Sequence, residues 1–166
     1  MAGLLTVLTA ALQQPPVLLV DNGSKRPAST LALRQTALAL QAALGGREVL
    51  PVSLRWSDTV PAVELGGVEA CVLGEALHNL EARGETRAIL APLFLGPSAS
   101  LSSAVRKSVA KLVATGSKLD LHVGKCLVDE AHADDLRVAR AMASLVLRTA
   151  RAKRLRLPLQ VPAAHG

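Results

Sequence analysis

Aromatic residues are almost absent from this sequence of 166 residues, which has one tryptophan, one phenylalanine and no tyrosine. Half of the residues are nonetheless hydrophobic, and nearly all of these are Ala, Leu and Val, so the predicted core is aliphatic. Proteins that hold single-stranded nucleic acid usually stack its bases on aromatic side chains. The composition therefore disfavours nucleic acid as a partner.

Cysteine is also scarce. Cys71 and Cys126 are the only two, they lie 55 positions apart, and neither belongs to a CxxC motif. This spacing argues against a zinc ribbon and against a disulfide scaffold, and it favours a reducing compartment. We expect a cytoplasmic protein, with a plastid as the alternative.

Long apolar runs are missing too. Residues 1–12 are apolar, but a segment that spans a bilayer needs about 20 such residues, so we expect no membrane partner. We interpret residues 1–16 as an N-terminal helix or extension; a weak targeting segment is the alternative. An α/β domain is expected at residues 17–152, followed by a basic, flexible tail at residues 153–166.

Acidic residues are missing from the last part of the chain. None follows Asp135, whereas seven arginines and lysines do, so the net charge of +6 belongs to the last helix and the tail. One interpretation is a solvated helix face with a flexible tail. The second is a surface for an acidic partner or a polycarboxylate ligand, and nucleic acid is a third, weaker interpretation.

Strand and helix patterns alternate four times along the sequence. Aliphatic runs, typical of strands that are buried on both faces, predict strands at residues 17–20, 47–54, 88–95 and 119–126. Apolar residues at helical spacing predict helices at residues 29–44, 68–83, 100–114 and 131–150. This order predicts a doubly wound, four-stranded parallel sheet with helices on both faces.

Ligands of such sheets bind beyond the carboxyl ends of the strands. This rule selects the loops at residues 21–27, 96–100 and 127–132. In the first loop, Ser24, Lys25 and Arg26 stand at the start of a predicted helix, where backbone N–H groups and the helix dipole favour a carboxylate or a phosphate. No GxGxxG or GxxxxGK[ST] motif is present, so a nucleotide is poorly supported.

Two segments resemble the sirohydrochlorin and cobalt chelatases. VLLVDNGSKRP at residues 17–27 is similar to that family's first strand and turn, in which apolar residues lead to His-Gly-Ser-Arg. APLFLGPSAS at residues 91–100 is similar to its Pro-Leu-Phe-Leu segment, which leads to a second histidine. Asn22 and Ser100 stand at the two histidine positions, and the resemblance extends over residues 17–145.

The resemblance implies a chelatase-like, flavodoxin-like three-layer sandwich. It also implies an enzyme of cobalamin or siroheme biosynthesis that inserts Co²⁺ or Fe²⁺ into a sirohydrochlorin-type tetrapyrrole. The metal would be a substrate, with no tightly bound cofactor, and the chain would form a homodimer as the short family members do. Asn22 and Ser100 would hold the catalytic positions. The residues implied to contact the tetrapyrrole are Gly23, Ser24, Lys25, Arg26, Phe94 and Ser98.

Asparagine and serine lack what the family's histidines supply. A neutral imidazole is a good ligand for Co²⁺ or Fe²⁺ and can accept a proton from the macrocycle, whereas a carboxamide or a hydroxyl does neither well. The alternative function is therefore a non-catalytic relative that binds a tetrapyrrole or a protein partner.

A substitute metal site is conceivable in the third loop. Cys126, Asp129 and His132 follow the fourth predicted strand, on the same edge of the sheet as Asn22 and Ser100. Asp129 would equally make an ordinary helix N-cap, because the helix dipole favours acidic residues in a first turn. The sequence leaves both interpretations open.

Overall fold

Residues 14–128 and 136–153 are described by a computed structural model, which divides the chain into two units, Met1–Leu127 and Val128–Gly166. Most of the N-terminal helix or extension expected over residues 1–16, the beginning of the last predicted helix and most of the basic tail lie outside the described residues. Within the described part of the chain, every helix is too short or too polar to cross a membrane.

The first unit contains one sheet of four strands: β1 (Val17–Asp21), β2 (Val49–Ser53), β3 (Arg87–Pro92) and β4 (Asp120–Val123). Their order across the sheet is β2-β1-β3-β4, and all three pairings are parallel. From β1 to β2 the chain crosses towards one edge of the sheet, and from β3 to β4 it crosses towards the opposite edge. The carboxyl ends of β1 and β3 therefore flank a topological switch point, where doubly wound folds bind their ligands.

Helices α1 (Pro27–Ala43), α2 (Leu73–Ala82) and α3 (Ala99–Ala114) belong to the first unit, and α4 (Arg137–Ala152) to the second. One face of the sheet packs against α1, and the opposite face packs against α2 and α3. This arrangement confirms the predicted α/β sandwich with helices on both faces.

The residues of β1 alternate between two cores. Val17 and Leu19 pack with Leu33 of α1, whereas Leu18 and Val20 are fully buried on the side of α2 and α3. Both faces of this central strand are covered, so both sets of side chains are apolar. The aliphatic run in the sequence is explained by this double burial.

Several element boundaries differ from those predicted. Helix α1 begins two residues early, since Pro27 at the first helical position has the right φ and lacks an N–H that would have no partner there. Helix α2 begins at Leu73 because the preceding residues run along the edge of β2, where the Ser53 amide donates to the Cys71 carbonyl at 3.0 Å. Strands β3 and β4 end three residues before the predicted positions.

Candidate functional site

A chain of hydrogen bonds joins the loops that follow β1 and β2. The carboxylate Oδ1 of Asp21 accepts from the Ser53 hydroxyl at 2.7 Å and from the Gly23 amide at 2.9 Å. The hydroxyl of Ser57 donates to Ser53 Oγ at 2.8 Å and accepts from the Ser24 amide at 3.4 Å. Ser53 and Ser57 are buried, so the bond between them is shielded from water, and the whole network fixes the two loops against each other.

Gly23 allows these loops to approach closely. Its φ is +82°, and a Cβ at this position would lie 1.8 Å from the carbonyl oxygen of Arg55. Any larger residue would have to displace the backbone of the loop after β2. The Asp-Asn-Gly turn therefore determines where Arg55 can lie.

Arg55 bridges the two positions that were predicted to be catalytic. Its Nη2 lies 3.3 Å from Asn22 Oδ1 and 3.0 Å from Ser100 Oγ. Asn22 follows β1, whereas Ser100 lies in the first turn of α3, so the sheet topology brings both to one edge. The structure thus places a guanidinium between Asn22 and Ser100.

Arg55 also lines a groove of about 550 Å³ between the end of β2 and α3. The groove has an apolar floor that includes Leu54 and Leu73, and none of its lining residues is acidic. Among the described residues, neither Arg55 nor Lys107 of this groove forms an ion pair. The polar groups of the lining are Arg55, Lys107 and the hydroxyls of Ser100, Ser103 and Ser108. The groove therefore has a positive charge available for an anion.

Trp56 exposes an indole ring beside this cation. Its φ is +71°, a conformation rare outside glycine, and the buried hydroxyls of Ser53 and Ser57 hold the chain on either side. The residue is 46% exposed. The ammonium of Lys25 lies 5.1 Å from the ring centroid and the guanidinium carbon of Arg55 lies 5.9 Å from it, both within cation–π range.

The other residues implied to contact a tetrapyrrole have different positions. Ser98 caps α3, since its hydroxyl accepts from the Leu101 amide at 3.1 Å. Phe94 is partly buried against the hydrophobic core. Arg26 is the exposed residue that precedes α1. The structure therefore brings Asn22, Gly23, Ser24, Lys25 and Ser100 to one edge, while it gives Ser98 and Phe94 structural roles.

The third loop has only one described member of the predicted metal site. Cys126 is partly buried and packs against the core, whereas Asp129 and His132 lie outside the described residues. Across residues 14–128 and 136–153, no three His, Cys, Asp or Glu side chains lie close enough together to hold a metal ion.

The loop after β2 supplies three residues that sequence reasoning missed: Arg55, Trp56 and Ser57. A signal for them existed, because the rule that ligands bind beyond the carboxyl ends of strands applies to β2 as well. The segment carries no motif and reads as an ordinary long loop. Its importance becomes visible only through its contacts with the loop after β1.

Comparison of the sequence with models of known protein families and with curated proteins gives no match.

Replacement of Gly23 by alanine should distort the site far more than the same change at Gly84, which also has a positive φ but has open space where a Cβ would lie. We expect Gly84→Ala to cost about 1–2 kcal/mol of unfolding free energy, as left-handed backbone does in L-residues. Gly23→Ala should cost about 2 kcal/mol more because of the clash with Arg55. Urea denaturation measures both, and equal losses would contradict the close approach.

Proposed function

We propose that this chain is a non-catalytic relative of the sirohydrochlorin and cobalt chelatases that binds a carboxylate-bearing tetrapyrrole. The observation that carries this proposal is the position of Arg55, whose guanidinium hydrogen-bonds to both Asn22 and Ser100. These are the two positions at which the resembled family has histidines. A cation of the protein itself thus lies where a chelatase would need to bind its metal.

Electrostatics makes this position unfavourable for a divalent metal. Two unit charges 4 Å apart in water interact by about 1 kcal/mol, so a guanidinium repels a divalent ion there by about 2 kcal/mol, and more strongly where water is excluded. The neutral side chains of Asn22 and Ser100 offer weak ligation to offset this repulsion. The same guanidinium attracts a carboxylate, and its N–H groups that are not used on Asn22 and Ser100 can donate a charge-assisted hydrogen bond to it.

The rest of the groove favours the same ligand class. Lys107 adds a second cation, the serine hydroxyls can donate hydrogen bonds, and the floor is apolar. The exposed indole of Trp56 lies within cation–π distance of Arg55 and can contact the face of a flat ring. A macrocycle with carboxylate side chains combines the planar apolar surface and the negative charges that this edge would recognise.

Binding of sirohydrochlorin should depend on Arg55. We expect Arg55→Gln to weaken binding about five- to tenfold, the effect of losing one partly solvated charge-assisted hydrogen bond. Arg106→Gln is the matched control, because Arg106 is an exposed residue of α3 that does not line the groove. Absorption spectra of the macrocycle and quenching of Trp56, the single tryptophan, measure the affinity.

Two results would overturn this proposal. If the unmodified chain does not bind sirohydrochlorin, the proposed ligand is wrong. If Arg55→Gln and Arg106→Gln weaken binding equally, the groove at Arg55 is not the binding site, and the affinity comes from general charge attraction. The methyl ester of sirohydrochlorin, which lacks the carboxylate charges, should bind more weakly than the acid, and raised salt should narrow this difference.

The binding of Co²⁺ tests whether the Arg55 guanidinium occupies the place of a metal ion and opposes its binding. The unmodified chain should bind Co²⁺ weakly, and Asn22→His with Ser100→His should improve binding only partly because Arg55 remains. Adding Arg55→Ala should strengthen binding by at least about tenfold over the double variant, whereas adding Arg106→Ala should not. Calorimetry measures each affinity.

Other outcomes would support a different function. Tight binding of Co²⁺ by the unmodified chain that is lost in His132→Ala would move the metal site to the third loop. Insertion of Co²⁺ or Fe²⁺ into sirohydrochlorin by the unmodified chain would make it an active chelatase and refute the non-catalytic assignment.

A cytoplasmic homodimer is the second part of this proposal. Both cysteines are free, as is usual in a reducing compartment. Helix α4, considered by itself, exposes Met142, Leu145 and Val146 at helical spacing, with fractional exposures of 55%, 48% and 53%. A stripe of large apolar side chains along one helix favours association with a second copy.

Sedimentation should therefore give about twice the monomer mass of 17.3 kDa at micromolar concentration. Val146→Lys should shift the chain towards the monomer, since it introduces a charge into the apolar stripe. Ser144→Lys, at an exposed position on the other side of α4, serves as the control and should leave the mass unchanged. A monomeric unmodified chain would contradict the homodimer.

A further inference from the structure

A separate cavity of about 270 Å³ lies beside the edge strand β2, between α1 and α2. Its remaining wall is formed by residues 68–71, which run from a short 3-10 helix at Ala62–Leu65 towards α2. An apolar cavity of about 150 Å³ is large enough to hold benzene, so this space exceeds a packing defect. It lies apart from the groove at Arg55, and the two share no lining residue.

The edge of β2 has no amide available for an added strand. The backbone N–H groups of successive residues in a strand point to opposite edges of the strand. In β2, the residues whose backbone groups point away from β1 are Val49, Pro51 and Ser53. The Val49 amide donates to the side chain of Gln41 at 3.4 Å, proline has no N–H, and the Ser53 amide donates to the Cys71 carbonyl. A peptide strand would therefore lack its main-chain partners here, and a small molecule is the better occupant.

Arg34 of α1 holds the outer wall of the cavity in place. Its guanidinium donates to the carbonyl oxygens of Leu65 and Val68 at 2.7 Å and of Glu69 at 3.0 Å. The wall is thus fixed, and the cavity does not depend on a ligand to form. Because these carbonyls occupy the guanidinium, Arg34 offers little attraction to an anion.

The other ionisable groups of the lining also argue for an uncharged ligand. Burial raises the pKa of the Cys71 thiol to about 11, with a further contribution from the nearby Glu75 carboxylate, so the thiol is neutral at pH 7. Arg83 is engaged in two hydrogen bonds to the carboxylate of Glu48, at 2.9 and 2.7 Å. The carboxylate of Glu69 also lines the cavity, but this residue is exposed to solvent, so no charge of the lining is both buried and available to a ligand.

Thr30 of α1 provides a buried polar group in the lining of this cavity. The residue is 94% buried, since its exposure is 6%, and its hydroxyl is the one buried side-chain polar atom without a partner among the described residues. A buried hydroxyl without a hydrogen bond costs free energy that a ligand group could recover. We infer that the cavity binds a small, uncharged, mostly apolar molecule with one hydrogen-bonding group that pairs with Thr30.

Phenol and toluene test this inference, because they have nearly the same shape and differ in the hydroxyl. We expect both to bind the full chain, with shifts of backbone amide resonances confined to the lining, for example at Thr30, Val52 and Cys71. Thr30→Val keeps the shape of the side chain but removes its hydroxyl. It should weaken phenol binding about three- to tenfold and leave toluene binding unchanged.

A cavity-filling variant provides the second measurement. Ala70→Leu adds volume inside the lining and should abolish the binding of both probes, whereas Ala28→Leu, at an exposed position of α1 outside the lining, should preserve it. Circular dichroism checks that each variant is folded. If Ala70→Leu does not fold, the comparison of phenol with toluene in Thr30→Val still decides.

The inference is overturned if neither probe binds, if the shifted amides lie outside the lining, or if Thr30→Val weakens phenol and toluene equally. Arg55→Gln should leave phenol binding unchanged. Unchanged phenol binding in this variant would show that the cavity is separate from the proposed tetrapyrrole site, so that either proposal can fail without the other.

Discussion

The carboxylate of Asp21 is the acceptor on which the carboxyl edge of the sheet depends. It lies at the end of the central strand β1 and binds both the turn that follows and the end of β2. A half-buried carboxylate needs such partners, and Ser53 supplies one that is itself bound by Ser57. Removal of this acceptor would leave two buried hydroxyls and a turn amide without their network, and the loop that carries Arg55 would lose its anchor.

Most of the fold could be predicted from the sequence because hydrophobic burial imposes a local pattern. The run at Val17–Val20 is apolar throughout since β1 is central and covered on both faces, and the four β/α alternations restrict the topology to parallel strands. The start of α2 could not be predicted in the same way. Its first expected turn is held instead along the edge of β2 by a backbone hydrogen bond, which leaves no trace in side-chain periodicity.

The site was predictable only in part. Asn22 and Ser100 could be located because both follow strands whose carboxyl ends meet at the switch point. Arg55 could not, since its position depends on a tertiary contact with Gly23 rather than on a motif. Ser98 illustrates a different point. It belongs to the resembling segment, but its hydroxyl is used to cap α3, so a matching motif position does not establish contact with a ligand.

The long connection between β2 and α2 gives the two proposed sites their different chemistry. Near its beginning, Ser57 fixes the chain against Ser53 and leaves the cation of Arg55 exposed without an ion-pair partner among the described residues. Towards its end, three backbone carbonyl oxygens accept hydrogen bonds from the Arg34 guanidinium, and these bonds hold the wall of the cavity beside β2. We propose Arg55 as a ligand-binding group, whereas Arg34 holds the wall of a cavity in place. The difference follows from the acceptors within reach of each guanidinium, because the exposed Arg55 meets two neutral side chains, whereas three backbone carbonyl oxygens accept hydrogen bonds from the partly buried Arg34.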